Sequence, residues 1–276
     1  FWSGWDSDNV RFIQMFRAIQ PDGLLTMSSW SPPGRFKSTG SAMGGTIAKN
    51  ASNQYRYADY ADWWLRSLQY LRDNSTLPVE QAIPDFISIQ NECDFTPGGT
   101  FYAAWQAGCY LNSTETSTKA GYPQAFSAVK NAFQANGFSF VKFIGPDTTT
   151  GGSSVISSYL NNLPAGSLAA IAHHPYQGSV NDVGHVTGSL SGLRAAYPTS
   201  TIYMTEFFGD DSYGAGVPDW MMHALPMHNL FTIEQANTYL MWGLSLSPTS
   251  GSYCALGHYS KFIDPGDWRS AASTND

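Results

Sequence analysis

Short apolar runs of strand length alternate with longer amphipathic segments along most of the chain. Strands are predicted for the runs rich in β-branched and aromatic residues, at positions 24–28, 86–89, 141–144, 168–172, 201–206 and 238–244. Helices are predicted where apolar residues recur every three or four positions, at 8–19, 55–72, 122–135, 153–160, 187–196, 220–228 and 253–263. This alternation of strand and helix is typical of a parallel sheet with crossover helices.

The length of 276 residues fits one large α/β domain spanning residues 1–276. A (β/α)8 barrel is commonly of this size, but a complete barrel has eight strands and the pattern predicts six. The predicted fold class is therefore α/β, and we expect a (β/α)8 barrel of which the sequence contains six strands.

Two of the predicted strands end in a glutamate. Phe86-Ile87-Ser88-Ile89 runs into Gln90-Asn91-Glu92, and Thr201-Ile202-Tyr203-Met204-Thr205 runs into Glu206. Each glutamate alone is as consistent with a salt bridge or a loop cap as with chemistry. The pair is more informative, because parallel barrels carry their chemistry at the carboxyl ends of strands and glycoside hydrolysis uses two facing carboxylates.

Composition narrows the classes of ligand. The net charge is −7 and there is no basic run, which disfavours a nucleic-acid partner. No apolar stretch reaches the length of a membrane span, so we expect no membrane association. Aromatic residues make up 14% of the chain and fit sugar binding, although most of them are expected in the core.

Three cysteines, Cys93, Cys109 and Cys254, lack the spacing of a metal site. Cys93 and Cys109 flank one loop and could form a disulfide, which would leave Cys254 free. Glycosylation sequons begin at Asn50, Asn74 and Asn112. Together these features favour a secreted, extracellular glycoprotein.

The adjacent His173 and His174 end the strand at 168–172. Neighbouring side chains on a strand point to opposite faces, so we expect one ring in the cleft and the other in packing rather than a shared metal. No GxGxxG follows a predicted strand, which argues against a dinucleotide-binding oxidoreductase. Neither a metal nor a cofactor is predicted.

Several motifs together resemble glycoside hydrolase family 30, over about residues 8–266. Trp30-Ser31-Pro32-Pro33-Gly34 is similar to the loop after the third barrel strand of that family, and Ile87–Glu92 is similar to its acid/base motif. His174-x-Tyr176 and Thr205-Glu206 resemble its motifs after the sixth and seventh strands. The segment from Tyr253 to Gly266 looks like the exit from its last strand.

The resemblance implies a (β/α)8 barrel whose first one or two strands precede Phe1, with little or no side β-sandwich. It implies retaining hydrolysis with Glu206 as nucleophile and Glu92 as acid/base, at a carboxylate separation of about 5–5.5 Å. Glu92 should stay protonated near working pH and Glu206 ionised, with Tyr176 and His174 as donors to Glu206. The other substrate-binding residues implied are Asn91, Trp30, Trp242 and Phe208, with Arg35 nominated for a glucuronate.

The Pro32-Pro33 loop and the Tyr57-Ala58-Asp59-Tyr60-Ala61 helix look most like the xylan-cleaving members of that family. We therefore expect an endo-acting, monomeric enzyme whose substrate is β-1,4-xylan or glucuronoxylan. β-1,6-glucanase and glucosylceramidase-like activity are alternatives within the class. A non-catalytic carbohydrate-binding barrel is the alternative outside it, and it gives no reason for both glutamates to stand at strand ends.

Overall fold

The computed structural model describes residues 4–95, 107–176, 183–207, 221–242, 250–264 and 266–267. The side chains of residues 4–6, 183–189 and 222 are not included in that description. In chain order the elements are α1 (Gly4–Ile19), β1 (Thr26–Ser28), α2 (Tyr57–Asn74), α3 (Val79–Ala82), β2 (Phe86–Ser88), α4 (Tyr122–Ala135), β3 (Lys142–Thr148), α5 (Ser153–Leu160), β4 (Ala170–His173), α6 (Val183–Ala196), β5 (Ile202–Phe207), α7 (Met221–Asn229), β6 (Thr238–Met241) and α8 (Gly251–Ser260).

The described strands form one curled, parallel six-stranded sheet in the order β1-β2-β3-β4-β5-β6. Each strand pairs in parallel with the next strand along the chain. The prediction of an α/β fold with six parallel strands is confirmed. The sheet forms part of a barrel, and closure by two further strands stays a prediction.

The sequence signals locate both ends of two helices. The predicted bounds of α4 and α5 agree with the structure to the residue. Asn136 closes α4, and Gly137 follows at φ 83°, a left-handed conformation that glycine adopts without strain. The backbone N–H of Phe138 then donates to the carbonyl of Phe133, which satisfies one of the last free carbonyls of the helix.

The main core lies between α2, α4 and the first three strands. The apolar stripe of α2 is buried, as the spacing predicts, and it consists of Tyr60, Ala61, Trp64, Leu65, Leu68 and Leu71. Trp64 packs edge-on against Phe133 of α4, with ring centroids 6.5 Å apart. The Nε1 atom of Trp64 also donates to the carbonyl of Ile89 at 3.1 Å, so this helix fixes the segment that leads to Glu92.

Several elements differ from the sequence expectation, and helix α1 begins at Gly4, four residues earlier than predicted. Strand β3 continues past its predicted end, through Pro146 to Thr148. Proline has no N–H to donate, but the pairing with β4 shifts register between Pro146 and Thr148, and the sheet tolerates the missing donor at this irregularity. Helix α6 begins four residues earlier than predicted, at Val183. After α7 the chain forms a π-helical segment, Leu230–Glu234, which no pattern in the sequence indicates. None of the helices in the described segments combines the length and apolar character needed to cross a bilayer.

Candidate active site

The two glutamates meet at the carboxyl edge of the sheet. Glu92 follows β2 after a short turn, and Glu206 is the penultimate residue of β5. Their side chains are 11% and 12% exposed, so each is mostly withdrawn from water. Glu92 has a φ of 48°, a left-handed conformation that is strained for a glutamate. Its N–H donates to the carbonyl of Asp147 at 2.8 Å, which holds the strained residue in place.

His174 lies between the two glutamates. Its Nδ1 atom is 3.1 Å from Oε1 of Glu92 and 3.9 Å from Oε1 of Glu206. Ligand atoms of these three side chains all lie within 4.8 Å of one another. The hydroxyl of Tyr176 donates to Oε1 of Glu206 at 3.1 Å. The expected bond from Tyr176 to Glu206 is therefore present, but the hydrogen bond of His174 goes to Glu92 because that oxygen is the nearer one.

The charges of the site are coupled through His174. Burial by itself lowers the pKa of His174, but the carboxylates of Asp147, Glu92 and Glu206 outweigh burial and raise that pKa to about 10. The imidazole is therefore a cation at neutral pH. Burial raises the pKa of Glu206 to about 7, His174 and Tyr176 oppose this shift, and the negative charge of Glu92 adds to it.

The raised pKa of Glu206 differs from the sequence expectation. A nucleophile that stays ionised across the working range was predicted, with Tyr176 and His174 supplying the stabilisation. Both groups are close, yet the loss of hydration around Glu206 outweighs them. Glu206 is therefore mostly ionised only above about pH 7 in the ligand-free protein.

The grouping of Glu92, His174 and Glu206 has the composition of a metal site, and among the described residues it is the one cluster with three such ligand atoms. Both ring nitrogens of His174 nevertheless face carboxylate oxygens, Glu92 on one side and Asp147 at 3.4 Å on the other. A metal ligand needs the lone pair of a neutral imidazole, which a ring protonated at both nitrogens lacks. The donor set therefore fits a trapped imidazolium better than a bound cation, and the absence of a metal stays a prediction.

Glu206 opens onto a cavity of about 460 Å³ that His174 and Asp147 also line. Its lining includes Asn91 and Glu206 together with the two indole rings expected there, Trp30 and Trp242. The amide of Gln90, wholly buried, donates to the carbonyl of Trp30 at 2.9 Å and fixes the Trp30 loop to the end of β2. Gln90 thus holds the Trp30 loop, whereas the next residue, Asn91, lines the cavity.

Arg35 lies apart from the glutamates. It is exposed, its guanidinium stacks on the Phe36 ring at 4.3 Å, and it lines a neighbouring groove of about 1160 Å³. That groove shares Met27, Ser28 and Trp30 with the first cavity. Phe208, which the resemblance implies as a substrate-binding residue, lies outside the described residues.

His173 points away from the site, as predicted for one member of the histidine pair. It is fully buried, and its Nε2 atom is 2.9 Å from Oε1 of Glu234 at the end of the π-helical segment. Burial lowers the pKa of His173, but the charge of Glu234 outweighs burial and raises it above its usual value. This buried pair connects β4 to the segment before β6.

Asp147, at the end of β3, is a residue of the site to which the sequence analysis gave no role. Its side chain is 2% exposed and it accepts hydrogen bonds from Ser28 and Thr205. Burial raises the pKa of Asp147, but His174 and the bond from Thr205 outweigh burial, so the pKa is below its usual value. Its place at a strand tip after Pro146 was visible in the sequence, whereas the residues it contacts are distant along the chain.

The disulfide that Cys93 and Cys109 could form is absent from the structure. Cys93 and Cys109 are free, buried thiols, and Cys254 is a free, exposed one. The thiol of Cys93 donates to the carbonyl of Pro146 at 3.3 Å, which turns it towards the sheet. Two cysteines that flank a loop in the sequence thus behave as small core residues.

No protein-family model matches the chain, and no curated protein matches it. Solved structures do match. A conserved exported protein from Bacteroides fragilis superposes with a TM-score of 0.67 at 14% identity, over 92% of this chain and 60% of that one. SrfJ from Salmonella typhimurium gives 0.64 at 17% identity, over 93% and 58%.

A third match is a glycoside hydrolase, the endo-β1,6-glucanase BT3312, with a TM-score of 0.52 at 19% identity over 78% of this chain and 44% of that one. The chain spans about three fifths of the length of the first two proteins and less than half of the third. At such identities the likeness shows the fold alone. The chain therefore shares an α/β fold with at least one solved glycoside hydrolase.

Proposed function

We propose that this protein is a retaining glycoside hydrolase in which Glu206 is the nucleophile and Glu92 the acid/base. The observation that carries the proposal is the placement of the two carboxylates at one sheet edge, with oxygens within 4.8 Å of each other, beside a cavity walled by Trp30 and Trp242. A short separation is typical of retention, because an inverting enzyme needs a wider gap of about 6.5–9.5 Å for a water.

In the first step, Glu206 attacks the anomeric carbon while Glu92 gives a proton to the departing glycosidic oxygen. In the second step, water attacks the glycosyl-enzyme and Glu92 takes the proton of that water, which releases Glu206. The hydroxyl of Tyr176 occupies one oxygen of Glu206 and leaves the other free to attack. Asn91, which is 6% exposed and lines the cavity, is positioned to bind a sugar hydroxyl.

For the substrate we propose β-1,4-xylan, including glucuronoxylan, cut internally. Support comes from the Trp30-Ser31-Pro32-Pro33 loop, which resembles that of xylan-cleaving members of glycoside hydrolase family 30. The larger groove beside Trp30 would leave room for a polymer that extends past the cavity. In this proposal Arg35 and Phe208 contact the polysaccharide beyond the glycosidic bond that is cleaved.

β-1,6-Glucan is the second candidate substrate, and glucosylceramide-like glycosides are the third. The fold shared with the endo-β1,6-glucanase BT3312 favours the second candidate. A protein that only binds carbohydrate is the competing class, and it predicts binding without any loss of polymer length.

We further propose that the protein is extracellular and monomeric and binds neither nucleic acid nor membranes. The support is the net charge of −7 without a basic run, and sequons whose Asn50 and Asn74 are exposed. A mass shift on treatment with an endoglycosidase would test glycosylation, and light scattering would test the monomer.

The decisive experiment is hydrolysis of glucuronoxylan, linear xylan, β-1,6-glucan and a glucosylceramide analogue by the wild type. Glu206→Gln and Glu92→Gln should each lower kcat by at least about 100-fold on the substrate that is cleaved. Glu80→Gln makes the same chemical change at an exposed position of α3 and should retain wild-type rates.

Proton NMR of the first product should show the same anomer as the substrate. Cleavage with an inverted product would contradict the assigned mechanism. Polymer binding with no cleavage by a folded wild-type protein would replace the enzyme by the binding protein.

A further inference from the structure

Asp147 contacts every strand end that contributes to the glutamate pair. Its carbonyl accepts the N–H of Glu92 at 2.8 Å. Its Oδ1 atom accepts the hydroxyl of Thr205, the residue before Glu206, and lies 3.4 Å from Nε2 of His174. Its Oδ2 atom accepts the hydroxyl of Ser28 at 3.0 Å. One side chain thus connects β1, β3, β5 and the residue that follows β4.

The backbone of Asp147 is held in an unfavourable conformation. Its φ is 63°, in the left-handed region, as for Glu92 at 48°. Such conformations are strained for residues other than glycine and persist where the surrounding contacts determine them. The two residues are joined directly by the hydrogen bond from the N–H of Glu92, so the strained turn after β2 is supported by the strained end of β3.

The charged groups that face His174 come from three elements. Glu92 follows β2, Asp147 ends β3, and Glu206 lies in β5. The charge of His174 in turn lowers the pKa of the neighbouring His173, although Glu234 outweighs this effect. Of the three carboxylates, Asp147 is the most buried, at 2% exposure, and it faces the nitrogen that points away from Glu92. Because Asp147 is buried, water cannot take the place of its carboxylate beside His174.

We propose that Asp147 is a positioning residue that fixes the spacing of Glu92 and Glu206 and holds His174 as a cation between them. It acts through its carbonyl on Glu92, through Thr205 on Glu206, and through Nε2 on His174. It touches none of the reacting atoms. The catalytic part of this proposal rests on the proposed function, whereas the effect on His174 does not.

The test compares wild type with Asp147→Asn, which keeps the shape and the oxygen acceptor but removes the charge. His174 is followed by NMR of ¹⁵N-histidine-labelled protein, with its signal assigned through His174→Gln. Asp94→Asn is the matched control, because Asp94 is also largely withdrawn from water but accepts its hydrogen bonds from Thr149.

The wild-type His174 should titrate at about pH 10. Asp147→Asn should lower this value by about one pH unit or more, because an opposite charge at this distance accounts for a shift of that size. In the same variant kcat should fall about 100-fold with KM nearly unchanged, the expected cost of displaced catalytic groups. Asp94→Asn should leave the His174 titration in place.

An unchanged His174 titration in folded Asp147→Asn, or an unchanged kcat, would overturn the proposal.

If Asp147→Asn does not fold, Thr205→Val decides, because it removes the hydrogen bond to Asp147 and keeps the charge of Asp147. That variant should lose about tenfold in kcat while His174 still titrates near its wild-type value, and a wild-type kcat would overturn the proposal. If the wild type cleaves no glycoside, the proposed function fails, and the titration still decides whether Asp147 holds the histidine cation.

Discussion

Trp30 and Trp242 pack against one another in a tilted arrangement, with ring centroids 5.0 Å apart and ring planes inclined by 34°. Trp30 follows β1, the first strand of the sheet, and Trp242 follows β6, the last. The contact shows how far the sheet curls, since residues from its two edges meet above the cavity. It also places two aromatic faces beside Glu206, where a sugar ring would lie.

Replacing Trp242 by alanine should weaken substrate binding more than it slows the chemistry. An aromatic contact of this kind contributes about 0.5–1.5 kcal/mol, so KM on the cleaved polymer should rise by about threefold to tenfold. Steady-state kinetics on that polymer measure the effect. Trp242→Phe keeps an aromatic face and should retain most of the affinity, and equal losses in the two variants would show that the ring does not contact the sugar.

The pH dependence of kcat/KM should report Glu206. Because its carboxylate must be ionised to attack and its pKa is raised to about 7, activity should fall as the pH drops through about 7. His174 lowers the pKa of Glu206, so His174→Gln should move this acid limb upward by about one pH unit.

A pH profile of kcat/KM between pH 4 and 9 would check this prediction. His228→Gln is the control, since His228 is exposed at the end of α7. An acid limb near the usual carboxylate pKa of about 4.3 would show that Glu206 is not the group that limits activity.

The thiols should differ sharply in accessibility. A thiol reagent added to the native protein should modify Cys254 alone, because Cys93 and Cys109 are buried. Burial also raises the pKa of Cys109 to about 12, which disfavours the reactive thiolate. After unfolding without a reductant, all three cysteines should react. A single reactive thiol under those conditions would mean that Cys93 and Cys109 are joined after all.

The buried His173–Glu234 pair should contribute to stability. Glu234→Gln leaves a buried histidine without its counter-charge, and removal of one partner of such a pair costs about 3–5 kcal/mol. Urea unfolding measures the loss, with the exposed Glu80→Gln as control. The π-helical segment that ends at Glu234 should exchange its amide protons faster in the variant.

The stability contributed by the His173–Glu234 pair should depend on pH, because the pKa of His173 differs between the folded and unfolded protein. The folded-state pKa of His173 is raised above its unfolded value of about 6.5. Its stabilising contribution is therefore complete below about pH 6.5 and is lost as the pH rises through the folded-state pKa. The difference between wild type and Glu234→Gln should shrink towards alkaline pH, and a difference that grows there would contradict the assigned pair.

The pattern along the chain was sufficient for the six strands and their parallel order, but it indicated neither α3 nor the π-helical segment. Strand and helix periods are local properties, and they placed α4 and α5 at their observed bounds. They failed where a local signal competes with the sheet. Pro146 reads as the end of a strand, yet β3 continues to Thr148 because its neighbour β4 supplies the pairing.

The sequence by itself determined that two glutamates end parallel strands, and hence that they share one edge of the sheet. Only the tertiary structure decided that His174 binds Glu92 rather than Glu206 and that Asp147 faces the other ring nitrogen of His174. It also decided that Cys93 and Cys109 remain thiols. The physical reason is that strand period and composition are set by near neighbours, whereas contacts and burial are set by residues far apart in the chain. Ser28, Asp147 and Thr205 come from three different strands, and no local pattern records that they meet.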